Sequence, residues 1–293
     1  MVEIKSISKS FQEDFWKKPN IVLNGVNFVI QEGKITGFVG KNGSGKTTTI
    51  KVLLGLIKPE GGQVNFNQKM GKDSIEIRHN IGCLPENPKF FENLTGAKFI
   101  KYMGRLHGIE EAEINTRLDR LSESLDLKWA LDKKIGGYSK GMRQKIGFIS
   151  AILHQPKLII LDEPLSGLDP ESRRLFKEMI LEQKNHGATV FLSSHILEDL
   201  IEICDNIVAM KAGKAVPVNS INENRALWIT LKNSKSTLDS LDSRYVISQE
   251  ISDSKVKLMI KESDRIGFLG DNSINSLDII AMERGSLELG DLI

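Results

Sequence analysis

The feature that most constrains this chain is a glycine-rich loop, GKNGSGKT, at residues 40–47. It follows the apolar run 35–39 and precedes residues 48–54, which suit a helix. Glycines let the backbone turn tightly and bring its N–H groups against phosphate oxygens, and the N-terminus of the next helix favours negative charge. Lys46 supplies a point charge, and Thr47 supplies a hydroxyl that suits Mg²⁺. The order of strand, loop and helix therefore predicts a phosphate cradle.

A second apolar run, residues 158–161, ends in the adjacent carboxylates Asp162 and Glu163. Nucleotide sites collect at the carboxyl ends of parallel strands. The pattern predicts that Asp162 holds Mg²⁺, directly or through water, and that Glu163 orients and polarises an attacking water. The alternative is an acidic helix start before Pro164.

Three further motifs complete the pattern: YSKGM at 138–142, SGLDP at 166–170, and His195 after the apolar run 188–193. In this order the motifs resemble those of the nucleotide-binding subunit of an ABC transporter, over roughly residues 1–215. The resemblance implies an α/β fold, a P-loop NTPase core with a mixed sheet and an inserted helical subdomain. It also implies an ATPase that uses ATP and Mg²⁺.

The resemblance implies that residues of this chain at positions matching the family's motifs contact ATP and Mg²⁺. Phe11 matches the aromatic residue that stacks on adenine, although Phe15 or Trp16 could take its place because the segment QEDFWKKPN blurs the register. Glu86 falls where many members carry the glutamine that touches Mg²⁺, and a solvated glutamate is the alternative. The implied ATP-binding residues are Phe11, Gly40, Lys41, Asn42, Gly43, Ser44, Gly45, Lys46, Thr47 and Thr48, and the implied metal ligands are Thr47, Glu86 and Asp162.

The family builds its site from two copies, so the resemblance implies that Ser139, Gly141 and Met142 contact ATP held by a partner chain. Tyr138, Lys140 and Met142 depart from the commonest LSGGQ pattern, while Ser139 and Gly141 keep it. A basic turn before a helix is the alternative interpretation of YSKGM.

Two further residues receive roles from the resemblance. His195 matches the histidine that contacts the γ-phosphate and the attacking water, and is implied to be catalytic together with Glu163. Its alternative role is helix capping. Asp169 is implied to link the two sites, and its alternative is an N-cap for the helix after Pro170.

The pattern of elements predicts an ATPase domain at 1–217, with its helical subdomain at about 87–155. A small accessory α+β domain is predicted at 218–293, with a role in dimer contact or regulation. Residues 2–8 alternate apolar and polar side chains and predict an edge strand, and 218–225 predict a linker. Within the helical subdomain, one apolar face is predicted from Phe99, Tyr102, Met103 and Leu106, and another from Ile114, Leu118, Leu121 and Leu125.

Composition limits the partners. The chain has 40 basic and 38 acidic residues, a balance that does not favour nucleic acid. Cys83 and Cys204 lack the spacing of a zinc site, and no apolar run is long enough to span a membrane.

The resemblance implies a second ATPase subunit, most simply a homodimer, and a separate polytopic membrane subunit. It places the chain on the cytoplasmic face of the cell membrane as a peripheral protein. The YSKGM variant, Glu86 and the C-terminal extension resemble the branch containing bacterial drug, peptide and ion exporters. The alternative is a soluble, non-transport ABC-type ATPase.

Overall fold

The chain separates into two compact units, Met1–Pro217 and Val218–Ile293. The computed structural model describes residues 1–12, 16, 19–218, 226–232, 246–251, 255–261 and 279–285. Phe15 and most of the predicted linker, 219–225, lie outside the described residues. No helix within the described ranges is long and apolar enough to cross a membrane.

The first unit contains both strands and helices, with three α-helices in succession between residues 84 and 158. Its strands are β1 (Val2–Phe11), β2 (Asn20–Ile30), β3 (Ile35–Gly40), β4 (Gly61–Phe66), β5 (Ile81–Leu84), β6 (Leu158–Leu161), β7 (Thr189–Ser194), β8 (Asn206–Lys211) and β9 (Lys214–Val218). Its α-helices are α1 (Lys46–Leu53), α2 (Ser74–His79), α3 (Gly96–Leu106), α4 (Glu111–Ser124), α5 (Lys140–Ile152), α6 (Pro170–Asn185) and α7 (Leu197–Ile201). Short 3₁₀ turns lie at Gln68–Met70, Lys128–Ala130 and Ile135–Gly137.

A six-stranded sheet in the order β5-β6-β7-β3-β8-β9 forms the centre of this unit. β3 pairs in parallel with β7 and β8, and β6 pairs in parallel with β5 and β7. Every residue of β3, β6 and β7 is buried. This burial explains their continuous apolar sequences, because a strand that is covered on both faces of its sheet needs apolar side chains at successive positions. Because β3, β6 and β7 are parallel, their carboxyl ends lie at the same edge of the sheet.

A separate antiparallel sheet has the order β2-β1-β4. β1 pairs with β2 from Val2 to Phe11 and with β4 through Val2 and Phe66. The prediction of an edge strand at 2–8 is therefore wrong, since β1 is the central strand. The alternation of apolar and polar residues shows which face of a strand is buried, but not how many neighbouring strands it pairs with. β1 is central because β4, which is distant in sequence, pairs with its second edge.

A cluster of three phenylalanine rings joins the two sheets. The ring of Phe28 on β2 lies 5.3 Å from that of Phe38 on β3 and 5.6 Å from that of Phe191 on β7. Phe38 and Phe191 are themselves 5.4 Å apart, and both are fully buried. Such ring pairs stabilise a core beyond their buried area, so this cluster fixes the antiparallel sheet over the parallel one.

Helices α3, α4 and α5 form the helical insertion. The predicted face of α4 is confirmed, because Ile114, Leu118, Leu121 and the following Leu125 are all buried. The predicted face of α3 is wrong beyond Phe99, since Tyr102 and Leu106 are 44% and 63% exposed.

The buried stripe of α3 contains two glycines. It runs through Gly96, Phe99, Ile100 and Gly104. A Cβ on Gly104 would lie 2.5 Å from the Cδ1 of Ile114. Glycine therefore brings α3 and α4 into close contact, and a pattern of large apolar residues does not reveal that face.

The second unit contains an antiparallel sheet in the order β11-β12-β10-β13. Its strands are β10 (Ala226–Lys232), β11 (Val246–Ile251), β12 (Lys255–Lys261) and β13 (Ile279–Gly285). Ile229, Leu231, Val256 and Leu258 are fully buried, so one face of β10 and β12 packs on a core.

Candidate functional site

The glycine-rich loop connects β3, which ends at Gly40, to α1, which begins at Lys46. Gly45 is the N-cap of α1, with φ of 108°, and a Cβ there would lie 2.8 Å from the Cδ2 of Leu23. A Cβ on Gly40 would lie 2.6 Å from the Oγ of Ser44 and 2.7 Å from the carbonyl oxygen of Met210. Both positions require glycine, because the loop curls closely against its own side chains and the neighbouring strands.

A cavity of about 470 Å³ opens beside this loop and brings together residues that are distant in sequence. Its lining residues are Asn20, Val22, Asn42, Gly43, Gly45, Lys46, Thr47, Thr48, Glu86, Glu163, Ser166 and His195. Nine of the eighteen candidate site residues therefore share one cavity: Asn42, Gly43, Gly45, Lys46, Thr47, Thr48, Glu86, Glu163 and His195. Gly40, Lys41 and Ser44 belong to the loop but do not line it.

Lys46 is buried, with only 5% of its surface exposed. Its Nζ donates a hydrogen bond to the carbonyl oxygen of Gly40 at 2.6 Å and lies 3.3 Å from the Oε1 of Glu163. A buried ammonium group needs such partners, because its charge is poorly solvated there. The lysine thereby connects the loop with the end of β6.

Glu163 and His195 form a close polar contact beside the cavity. The Oε2 of Glu163 lies 2.7 Å from the Nδ1 of His195 and 3.3 Å from the backbone N–H of His195, which donates to it. The Oε1 of Glu163 is buried and has no hydrogen-bond partner among the described residues. The Oε2 of Glu163 thus contacts the imidazole, while its buried Oε1 lies beside Lys46 and can still accept a hydrogen bond from a bound molecule.

Asp162 lies directly behind Glu163 and is 2% exposed. Its Oδ1 accepts a hydrogen bond from the hydroxyl of Ser193 at 2.6 Å, and the same hydroxyl oxygen accepts one from the backbone N–H of Glu163 at 2.9 Å. Ser193 was not among the residues singled out from the sequence. In the sequence, only its position two residues before His195 points to a role for Ser193. Its hydrogen-bond partners follow a different strand, β6, and are not apparent from the sequence around it.

Phe11 does not line the cavity; its ring is 41% exposed and lies under the Nζ of Lys9 at 5.4 Å. Trp16 does not line it either, and Phe15 is outside the described residues. Asn20 and Val22, at the start of β2, line it instead. Sequence reasoning missed them because the pairing of β1 with β2 decides which side chains reach the loop.

The YSKGM motif forms the start of α5. The Oγ of Ser139 accepts a hydrogen bond from the N–H of Met142 at 3.2 Å and so caps the helix. A Cβ on Gly141 would lie 3.5 Å from the Cδ2 of Leu168, so this side of the turn is close to the SGLDP loop. Ser139, Gly141 and Met142 do not line the cavity of their own chain.

Asp169 caps α6, because its Oδ1 accepts a hydrogen bond from the N–H of Ser172 at 2.9 Å. That hydrogen bond holds the pKa of the Asp169 carboxyl below its usual value. The capping role predicted as its alternative is thus present. His195 has no capping role, because Ile196 occupies the N-cap of α7.

Comparison with known proteins places residues 23–166 in a sequence family described as "ABC transporter". The chain is 37% identical over 226 residues to an uncharacterised ABC transporter ATP-binding protein, sll0415, of Synechocystis. That match covers 76% of this chain and 64% of the relative. It is 39% identical over 194 residues to the bacitracin transport ATP-binding protein BcrA of Bacillus licheniformis, covering 64% of this chain and 61% of BcrA. The chain therefore spans less than two thirds of the length of each of these relatives.

A solved structure described as the ATP binding subunit of an ABC transporter is similar in fold and sequence. The two share 32% identity with a TM-score of 0.65, and the match covers 74% of this chain and 90% of that one. The likeness therefore extends over almost the whole of a solved ATP-binding subunit.

Proposed function

Because this chain belongs to the ABC transporter family as an ATP-binding subunit, we propose that it hydrolyses ATP to drive a separate membrane-spanning partner. The convergence of Lys46, Glu163 and His195 on one cavity beside the glycine-rich loop carries this proposal. These residues come from α1, the end of β6 and the end of β7. A phosphate-binding lysine, a base and a group that orients the base are the parts that hydrolysis needs.

The donor set fits a phosphate chain and Mg²⁺. The Oε1 of Glu163 is buried beside Lys46 and accepts no hydrogen bond from the described residues, so it can still accept one from a molecule bound in the cavity. Thr47, Asp162 and Glu86 supply the oxygen ligands that Mg²⁺ prefers. When bound, Mg²⁺ neutralises charge on the phosphate oxygens. In this proposal Lys46 holds the terminal phosphates, and Asn42, Gly43, Gly45 and Thr48 surround them.

Glu163 acts as the general base in the proposed reaction. Its Oε1 faces Lys46 and its Oε2 is fixed by the Nδ1 of His195, so the carboxylate cannot rotate freely. A base held in one orientation accepts the proton of an attacking water more efficiently than a mobile one. In this proposal His195 positions the base and also lies beside the γ-phosphate of the bound ATP.

Two copies complete each proposed site. Ser139 sits at the N-terminus of α5, where helix N–H groups and the helix dipole favour an anion. We assign Ser139, Gly141 and Met142 to the γ-phosphate held by a partner chain, and Asp169 to the contact between the two sites. The homodimer is the simplest assembly that gives every cradle a facing helix end.

Two observations support a membrane partner and export as the direction of transport. BcrA is named for bacitracin transport, and the YSKGM variant resembles exporters, so we propose export. A cavity of about 590 Å³ lined by Phe91, Leu94 and Tyr102 with two polar neighbours suits a cytoplasmic segment of the membrane subunit. This arrangement would place the chain at the cytoplasmic face of the membrane.

The test of the proposed reaction is Glu163→Gln. The amide keeps the shape of the side chain but is not a base, so we expect hydrolysis to fall by about 10²-fold or more while ATP binding remains. Steady-state phosphate release and binding of a fluorescent ATP analogue measure the two quantities. Glu198→Gln, an exposed glutamate on α7, is the matched control and should behave as wild type. Unchanged turnover in Glu163→Gln would show that the base is assigned wrongly.

A further inference from the structure

The hydroxyl of Ser193 joins the two acidic residues at the end of β6. It is fully buried, lies 2.9 Å from the backbone nitrogen of Glu163 and lies 2.6 Å from the Oδ1 of Asp162. β6 and β7 are neighbouring parallel strands in which Leu161 is paired with Leu192. The register of the two strands therefore places Ser193 beside the residues that follow β6.

Both hydrogen bonds of this hydroxyl have a fixed direction. A backbone N–H can only donate, so the Ser193 oxygen accepts from Glu163. A carboxylate can only accept, so the Ser193 proton is donated to Asp162. One side chain thereby fixes the backbone of one acidic residue and the carboxylate of the other.

The backbone of Glu163 needs such support. Its φ is 50°, in the left-handed region that residues other than glycine rarely adopt. This conformation turns the side chain toward Lys46 and His195 rather than along the strand direction. Strained backbone persists only where its surroundings hold it, and the bond to Ser193 is one of the contacts that do so.

We propose that Ser193 is a positioning residue that sets Asp162 for Mg²⁺ and Glu163 for the attacking water. The inference rests on the proposed ATPase function and extends it to a residue outside the recognised motifs. Ser193 touches neither nucleotide nor metal in this assignment; it acts through the two acids.

Three substitutions of Ser193 in the full-length chain test this role. Ser193→Ala removes both hydrogen bonds, Ser193→Cys keeps the volume but bonds weakly, and Ser193→Thr keeps the hydroxyl. Thr189→Val is the matched control. Thr189 is also fully buried on β7, and its Oγ1 accepts a hydrogen bond from the N–H of Gly33 at 2.9 Å, at the opposite end of the strand.

We expect Ser193→Ala and Ser193→Cys to weaken Mg²⁺ binding and slow hydrolysis, with little effect on ATP binding. In Ser193→Ala and Ser193→Cys, kcat should fall about 10- to 100-fold and the Mg²⁺ concentration for half-maximal activity should rise about 10-fold, as for other residues that orient metal ligands. The KM for ATP should change less than about 3-fold, and Ser193→Thr should recover most of kcat. Thr189→Val should alter neither kcat nor the Mg²⁺ dependence.

A readout independent of activity is the exchange rate of the Glu163 amide hydrogen, followed by mass spectrometry. It should increase in Ser193→Ala and not in Thr189→Val. Wild-type kcat and Mg²⁺ dependence in Ser193→Ala would overturn the inference. So would full activity in Ser193→Cys, or an equal loss of kcat in Thr189→Val. If the wild-type chain hydrolyses no ATP, the proposed function fails instead, while unchanged Glu163 exchange in Ser193→Ala would still refute the positioning bond.

Discussion

Glu163 meets two costly conditions at one position. Its φ of 50° is strained for a residue with a side chain, and its carboxylate is only 6% exposed. Backbone strain of this kind costs about 1–3 kcal/mol, and a buried carboxylate is unfavourable unless it is paired. Lys46 and His195 supply the pairing, at 3.3 and 2.7 Å from its two oxygens. The residue that we propose as the base is therefore also one whose backbone strain and burial destabilise the fold.

The environment of His154 opposes the charged form of its imidazole. Its ring stacks on that of His107, with centroids 3.8 Å apart, and His79 lies 5.3 Å from His107. Burial, followed by the neighbouring His107, lowers the pKa of His154 to about 4. Burial also lowers the pKa of His107. This cluster connects α2 with the ends of α3 and α5.

The histidine cluster predicts a loss of stability in mild acid. Below pH 6.5 the unfolded chain takes up a proton at His154, whereas the folded chain does so only near pH 4. The free energy of unfolding should therefore fall as pH decreases across that window. The slope is at most about 1.4 kcal/mol per pH unit for one proton, and smaller because the ring is partly exposed.

Urea unfolding at several pH values checks this prediction. His154→Phe should reduce the slope of the pH dependence between 6.5 and 4, because this titrating group is gone, leaving the contribution of His107, whose pKa is also lowered. His186→Gln, at an exposed histidine after α6, should keep the wild-type slope. An unchanged slope in His154→Phe would contradict the assignment.

At the scale of elements, the helices differ in whether a side chain caps their N-terminus. α3, α5 and α6 begin with side-chain caps from Thr95, Ser139 and Asp169. α1 begins at Gly45, which offers no side-chain cap. The first N–H groups of a helix lack intrahelical partners, so the start of α1 suits an external anion. Ser139 has both tasks in our proposal, because it caps α5 and faces a partner's phosphate.

Ser139→Asp separates these two tasks. Aspartate caps helices as well as serine does, so the melting temperature should stay near the wild-type value. Its negative charge would repel a phosphate, and we expect ATP-dependent dimerisation to be lost. Size-exclusion chromatography with ATP, in the Glu163→Gln background, measures the dimer. Thr95→Asp changes the matching cap of α3 and should preserve dimerisation. A normal dimer in Ser139→Asp would rule out the assigned phosphate contact.

Local patterns predicted the elements better than the contacts between them. The buried strands β3 and β6 and the loop between β3 and α1 follow from short apolar and glycine-rich runs, and the structure contains them. The central place of β1 could not be predicted, because it depends on the return of β4. Ser193 could not be predicted either, because its hydrogen-bond partners follow the neighbouring strand β6 and are about 30 residues away in sequence.

At the scale of the whole molecule, the sequence contains one cradle and one YSKGM motif. Ser139 does not line the cavity that contains Lys46 and Glu163. In a dimer with twofold symmetry, any contact of one copy with the other is repeated in reverse. A helix end that completes the partner's site would therefore create two identical sites from two incomplete chains.

This symmetry predicts complementation between two inactive variants. Lys46→Ala removes the phosphate-binding charge, and Ser139→Asp blocks the facing helix end, so neither variant should hydrolyse ATP alone. A mixed dimer contains one site with Lys46 from one copy and Ser139 from the other, both intact. Each mixed dimer has one intact site of two, so random pairing would give about one quarter of wild-type activity if the sites turn over independently. Because Ser139→Asp copies are not expected to dimerise with each other, mixed dimers should be favoured and the activity should lie between about one quarter and one half of wild type. Mixing Lys46→Ala with the double variant Lys46→Ala/Ser139→Asp leaves no intact site and is the control. If the first mixture is as inactive as the control, Lys46 and Ser139 act within one chain and the dimeric site is wrong.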